Sequence, residues 1–132
     1  MTSLQALPQF LAYLAVTIGL LVVFLLVYTR ITPHDEWTLL QQGNTAAAVS
    51  LAGAVLGFSL PLASVVAHAA DIADLLVWAV VAMVVQLIAY FAVSLLQRDL
   101  SHAIERGQMA PSVVLATGGV VMGILNAACL TY

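Results

Sequence analysis

Four stretches of the chain stay apolar for long enough to cross a bilayer, and nearly all of the ionisable residues fall in the breaks between them. A spanning helix needs about 20 mostly apolar residues. The runs Pro8 to Thr29, Asn44 to Ala67, Asp74 to Gln97 and Met109 to Tyr132 each reach that length. The pattern predicts an all-α membrane protein with four transmembrane helices, a single domain over residues 1–132 with spans at about 8–29, 44–67, 74–97 and 109–132. Connections this short leave no separate soluble domain, so a larger site or pore would call for further copies or a partner.

The spans differ in texture. The first is bulky, with Leu20, Leu21, Phe24, Leu25 and Leu26 interrupted only by Thr17 and Gly19, which suits a lipid-facing position. Tyr28 and Arg30 at its end read as interface anchors. The second is built from small side chains, with Ser50, Gly53 and Gly57 on one face, and the fourth repeats the theme with Gly119 and Gly123. In lipid there is little hydrophobic drive between helices, so close backbone approach through such residues is the main source of packing energy. The two glycine-bearing spans are expected to meet each other, or each to meet a symmetry mate.

Proline and acid positions refine the elements. Pro61 should bend the second span by removing one backbone bond, with Ser59 or Ser64 as groups able to satisfy the freed carbonyl. The third span starts near Asp71 or Asp74 and places Met83, Gln86 and Tyr90 on one face. Between the first two spans, Thr32, Pro33, Asp35 and Glu36 form a helix start, and Trp37, Leu39 and Leu40 give that short helix an apolar side. It is expected to lie in the cytoplasmic interface, to end at Gly43, and to hand over to a second span capped by Asn44.

Sliding the chain by 64 positions lays Asp35 to Asn44 on Asp99 to Gln108, with Asp on Asp and Gly43 on Gly107, and continues with Ala52 on Ala116 and Ala63 on Ala127. This predicts a parallel two-helix internal repeat about an axis along the membrane normal. The first and third spans match poorly at the same offset.

Composition narrows the class further. With 64% hydrophobic residues, 7% charged residues and mean hydropathy +1.12, a soluble globular chain is excluded. Three basic residues and a net charge of -3 point away from nucleic acid. Those three, Arg30, Arg98 and Arg106, fall on one side of a four-span chain, which the positive-inside rule makes cytoplasmic, with both termini outside. No Lys or Arg precedes the first apolar run, so it is read as a retained helix rather than a signal peptide. The lone Cys129 has no intrachain partner and reads as a small buried apolar side chain.

Glu36 and Trp37, Gly43-Asn44 with Ala46-Ala47-Ala48, Gly57-Phe58, Pro61-Leu62, His68, Asp71, Asp74, Trp78, Gln86-Leu87, Tyr90, and Gly123 with Asn126-Ala127-Ala128 follow one another along the chain. This succession resembles a bacterial inner-membrane family, the YjfL-like proteins catalogued as domain of unknown function 350. The resemblance runs from Tyr28 onward. It implies a four-span unit in the bacterial plasma membrane, sometimes doubled in one chain, and no particular activity.

Candidate chemistry is sparse. Gln86 and Asn126 are the strongest polar groups within the spans. With Ser59, Ser64 and the backbone freed by Pro61 they could line a coordinating or permeation site, or they could simply hydrogen-bond between helices. No charged side chain accompanies them, and intramembrane charge is the usual mark of an ion pathway. His68, Asp71 and Asp74 recur at every third position, a spacing open to a divalent cation, but more simply read as Asp71 capping the third span, Asp74 in its first turn and His68 at the interface. His34, Asp35, Glu36, His102 and Glu105 form a solvated cytoplasmic face, on which Glu36 and Trp37 are the expected partner contacts. No phosphate loop, paired cysteines or nucleophile set is present, so neither a cofactor nor catalysis is expected. The expected function is a homo-oligomeric membrane scaffold, embedded in lipid, assembling through the Gly/Ala faces of the second and fourth spans and offering its cytoplasmic face to a protein partner. The alternative is a small channel or transporter with a polar path at Gln86 and Asn126.

Overall fold

A computed structural model describes residues 3–31, 36–96 and 100–130 of the chain. It is built from four long helices, α1 (Ser3–Ile31), α3 (Thr45–His68), α4 (Ile72–Leu96) and α6 (Met109–Cys129), with two short ones, α2 (Glu36–Gln41) and α5 (Leu100–Glu105), preceding α3 and α6. All four long helices are long and apolar enough to cross a membrane. The expected start at Thr32 to Asp35, the Glu36 side chain and Arg98 lie outside the described residues.

Boundaries shift slightly from the sequence expectation. Helix α1 begins at Ser3 rather than Pro8, because Pro8 falls in the opening turns and forgoes only the bond to Leu4. Helix α4 begins at Ile72, and both neighbouring acids cap it. The Asp71 carboxylate accepts from Asp74 N–H at 2.8 Å and the Asp74 carboxylate accepts from Ala70 N–H at 3.0 Å, a reciprocal cap that satisfies otherwise orphaned donors.

Each short helix ends in the same turn. Gly43 N–H donates to Leu40 C=O at 3.0 Å and Asn44 N–H to Leu39 C=O at 2.9 Å, while Gly107 N–H donates to Ile104 C=O and Gln108 N–H to Ala103 C=O, both at 2.9 Å. The glycines sit at φ +77° and +76°, the left-handed region in which a Cβ is strained.

Helices α3 and α6 form the tightest pair in the bundle. A Cβ at Gly53 would overlap Ala116, one at Gly57 would come within 2.6 Å of the Gly119 carbonyl oxygen, and one at Gly123 would overlap the Gly57 carbonyl. The small-residue faces are thus turned on each other inside one chain and are not free for a symmetry mate. Helix α4 packs against both members of the pair, and α1 lies on α3 and α4.

Aromatic rings hold α1. Phe24 stacks on Phe58 with centroids 4.4 Å apart, and Tyr28 meets Tyr90 edge-on at 5.2 Å. Tyr28, read from the sequence as an interface anchor, is therefore buried in the core. Cys129 departs the other way and is exposed, since the contact face of α6 runs through Gly119, Gly123 and Asn126.

Candidate functional site

The distinctive feature inside the bundle is a ladder of polar side chains, all but one of which reach across to the backbone of a neighbouring helix. Beginning at the short-helix end, the Asn44 amide donates to Ile104 C=O at 2.8 Å and Glu105 C=O at 3.3 Å, while its oxygen accepts from Ala47 N–H at 3.0 Å. One side chain thus caps the start of α3 and the end of α5. Next, the Ser112 hydroxyl donates to Ala46 C=O, and the Ser50 hydroxyl donates to Ala47 C=O of its own helix at 3.1 Å.

The centre of the ladder belongs to α4. Tyr90 donates to Gly53 C=O at 3.2 Å, and the Gln86 amide donates to Gly119 C=O at 2.8 Å and touches the Tyr90 hydroxyl at 3.5 Å. One side chain thereby reaches α3 and the next reaches α6. The glycines make room: a Cβ at Gly57 would lie 2.7 Å from the Gln86 amide nitrogen and 2.8 Å from the Tyr90 hydroxyl. Further on, Asn126 donates to Ala82 C=O at 3.2 Å and Ser64 to Ala127 C=O at 3.0 Å. In hydrocarbon every such donor must be satisfied by protein, and these are satisfied between helices. On the acceptor side, the Gln86 side-chain oxygen is buried with no partner.

The geometry does not gather the remaining candidates. Ser59 turns back onto Val55 C=O of its own helix at 2.7 Å, and Ser64 goes to α6. Neither bond goes to the Gly57 carbonyl that Pro61 frees, and that oxygen rests on Gly123 instead. His68 places Nδ1 2.8 Å from Ser64 C=O one turn back, while the Asp71 and Asp74 carboxylates are engaged in capping. Among the described residues no group of three His, Cys, Asp or Glu side chains is placed to hold a metal ion. At the other end Trp37 is exposed, and His102 and Glu105 approach each other at 3.9 Å on an exposed surface.

An apolar groove of about 400 Å³ opens along the outside of the α3–α6 pair, lined among others by Ala52, Leu56, Thr117 and Val120. The profile of the Domain of Unknown Function (DUF350) family matches residues 1–130. The chain belongs to the DUF350 family. It is 36% identical over 132 residues to the inner membrane protein YjfL of Escherichia coli K12, covering 100% of both chains, and equally so to YjfL of Escherichia coli O157:H7. The transmembrane protein YshE of Bacillus subtilis 168 is 31% identical over 85 residues, 64% of this chain and 63% of that one. No solved structure matches.

Membership of DUF350 fits the four membrane helices and adds no chemistry to the ladder. Three of the ladder's members are not site residues in the sequence reading, Asn44 being read there only as the cap of the second span. Ser112 lies in a run of ordinary polar and aliphatic residues, and its only signal is the position one turn ahead of Ala116 on the small-residue face. Tyr90 was legible only as a residue sharing the Gln86 face.

Proposed function

We propose that this DUF350 chain is a homo-oligomeric scaffold of the bacterial inner membrane that presents α2 and α5 to a cytoplasmic protein partner, and is neither a carrier nor an enzyme. The observation that carries this reading is where the ladder ends. The donors of Asn44, Tyr90, Gln86, Asn126, Ser64 and Ser112 are each directed to a carbonyl of another helix. Polar groups committed in this way fix helix positions and leave little to line a path. The glycine contacts between α3 and α6 also bring two backbones together where a conduit would need space. The placement in the inner membrane leans on the name of the YjfL relatives.

Reconstitution into liposomes tests it. Purified protein should produce no ion or solute flux above protein-free vesicles and should run as a defined oligomer in native-like bilayers. A strictly monomeric protein would sink the scaffold reading.

A second reading, a small channel or transporter, draws on one observation, the unpartnered Gln86 oxygen in the middle of α4. Flux that is present in the wild type and lost in Gln86→Leu would favour it over the scaffold.

A further inference from the structure

The two halves of the chain share more than turns. Helices α2 and α3 start at Glu36 and Thr45, and α5 and α6 start at Leu100 and Met109, so both pairs recur at the 64-residue offset seen in the sequence. The same offset carries α1 onto α4. In α4, Ala82, Gln86 and Tyr90 are the residues hydrogen-bonded to α6 and α3. Their counterparts in α1 are Ile18, Val22 and Leu26, one per turn on a single stripe. That stripe is turned away from Phe24 and Tyr28 and is exposed by 53%, 47% and 51%.

A twofold arrangement of the halves would seat α4 on one flank of the α3–α6 pair and α1 on the other. Within one chain this does not happen, because α1 sits beside α4, with Tyr28 against Tyr90. The opposite flank is the apolar groove. Six of its eight lining residues are matched positions of the two halves, Ala52 with Ala116, Gly53 with Thr117 and Leu56 with Val120, the others being Val49 and Val121, and no residue of α1 or α4 lines it. Gly53 and Ala116 belong both to the groove and to the α3–α6 contact, so the groove continues an interface already formed.

We propose that the chain is a tandem duplication whose second helix seat is filled between copies, α1 of one copy laying Ile18, Val22 and Leu26 into the α3–α6 groove of another. This rests on the homo-oligomeric reading above and names its interface. The occupant is a second copy because the stripe and the groove are complementary in kind. Where Gln86 and Tyr90 bring hydrogen-bonding groups to carbonyls, Val22 and Leu26 bring only apolar branches to a groove of aliphatic side chains and one threonine. Copies inserted in the same sense also present α1 in the required direction, antiparallel to α3 and α6, as α4 is. The contact joins different surfaces of the two copies, so it closes as a reciprocal dimer or a ring.

The register follows from the same offset. Gln86 lies at Gly57 and Tyr90 at Gly53, which carries Val22 to Val121 and Leu26 to Thr117 of the neighbouring copy. The test uses full-length protein with Cys129→Ser throughout. Copies bearing Leu26→Cys are mixed in bilayers with copies bearing Thr117→Cys and oxidised. The expected result is an inter-copy disulfide at several-fold the yield of a mixture of Ile88→Cys with Thr117→Cys, Ile88 being exposed on α4. Ala52→Leu, which adds bulk on the groove side of α3, should lower that yield several-fold. Equal yields in the two mixtures, or a yield indifferent to Ala52→Leu, would overturn the interface. Molecular mass in nanodiscs separates the readings: an oligomer lacking the Leu26–Thr117 link overturns this interface alone, whereas a monomer overturns the scaffold as well.

Discussion

The carbonyl oxygen of Gly57 occupies the space that a Cβ on Gly123 would need. Pro61, one turn on, supplies no N–H to that carbonyl, so the oxygen is free to face the neighbouring helix. The three residues act as one device: proline frees the acceptor, and the two glycines let the backbones close.

Gly123→Ala should therefore force α3 and α6 apart. Overpacking of this kind costs about 1–3 kcal/mol, read as a lower midpoint of thermal or denaturant unfolding in bicelles. Gly19→Ala is the matched control, since a Cβ there meets nothing within 4 Å. It should be neutral or stabilise by up to about 1 kcal/mol, because alanine restrains the unfolded helix segment more than glycine does. Equal effects at the two positions would contradict the close α3–α6 contact.

Gln86 and Tyr90 should weaken the bundle in distinguishable ways. Tyr90→Phe removes the bond to Gly53 C=O and keeps the ring against Tyr28, whereas Gln86→Leu removes the bond to Gly119 C=O. Interhelical hydrogen bonds in membranes are worth about 0.6–2 kcal/mol, and each single change should fall in that range. Their mutual contact is long at 3.5 Å, so the double mutant should be close to additive. Strong coupling would mean that the pair works as a unit, as a binding site would.

Helix number and texture were legible from the sequence because hydropathy and small-residue spacing are local properties. Asn44, Asp71 and Asp74 were readable for the same reason, since capping is decided within a few residues. What the sequence could not supply were the long-range partners. Nothing local to Tyr28 says that it meets Tyr90 rather than the interface, and the Asn44 amide reaches a carbonyl 60 residues away. Small-residue faces were ambiguous for a physical reason: Gly53 and Gly123 favour close approach equally well within a chain and between copies.

Asn44 gives a test of that long reach. Asn44→Ala deletes both the α3 cap and the link to α5, and caps alone are worth about 0.5–2 kcal/mol. Asn44→Asp keeps an acceptor for Ala47 N–H but loses the donor to Ile104 and sets a negative charge against the C-terminal carbonyls of α5, which is unfavourable. Both variants should raise amide exchange over residues 104–108, and only Asn44→Ala should raise it at the start of α3. Exchange confined to α3 in both would mean that α5 is held by other contacts.

Orientation is the remaining quantity that a simple experiment can fix. The basic residues Arg30, Arg98 and Arg106 fall on one side, and that side is expected to be cytoplasmic. In a Cys129→Ser background a membrane-impermeant maleimide should label His68→Cys in intact cells and His102→Cys only after lysis, His102 being well exposed. The opposite pattern would put α2 and α5 outside and remove them as a cytoplasmic docking face. With so few charges setting the sign, orientation should also be easy to disturb. Replacing Arg30 and Arg106 together by glutamate leaves Arg98 as the only basic residue, and a mixed labelling pattern is the expected outcome.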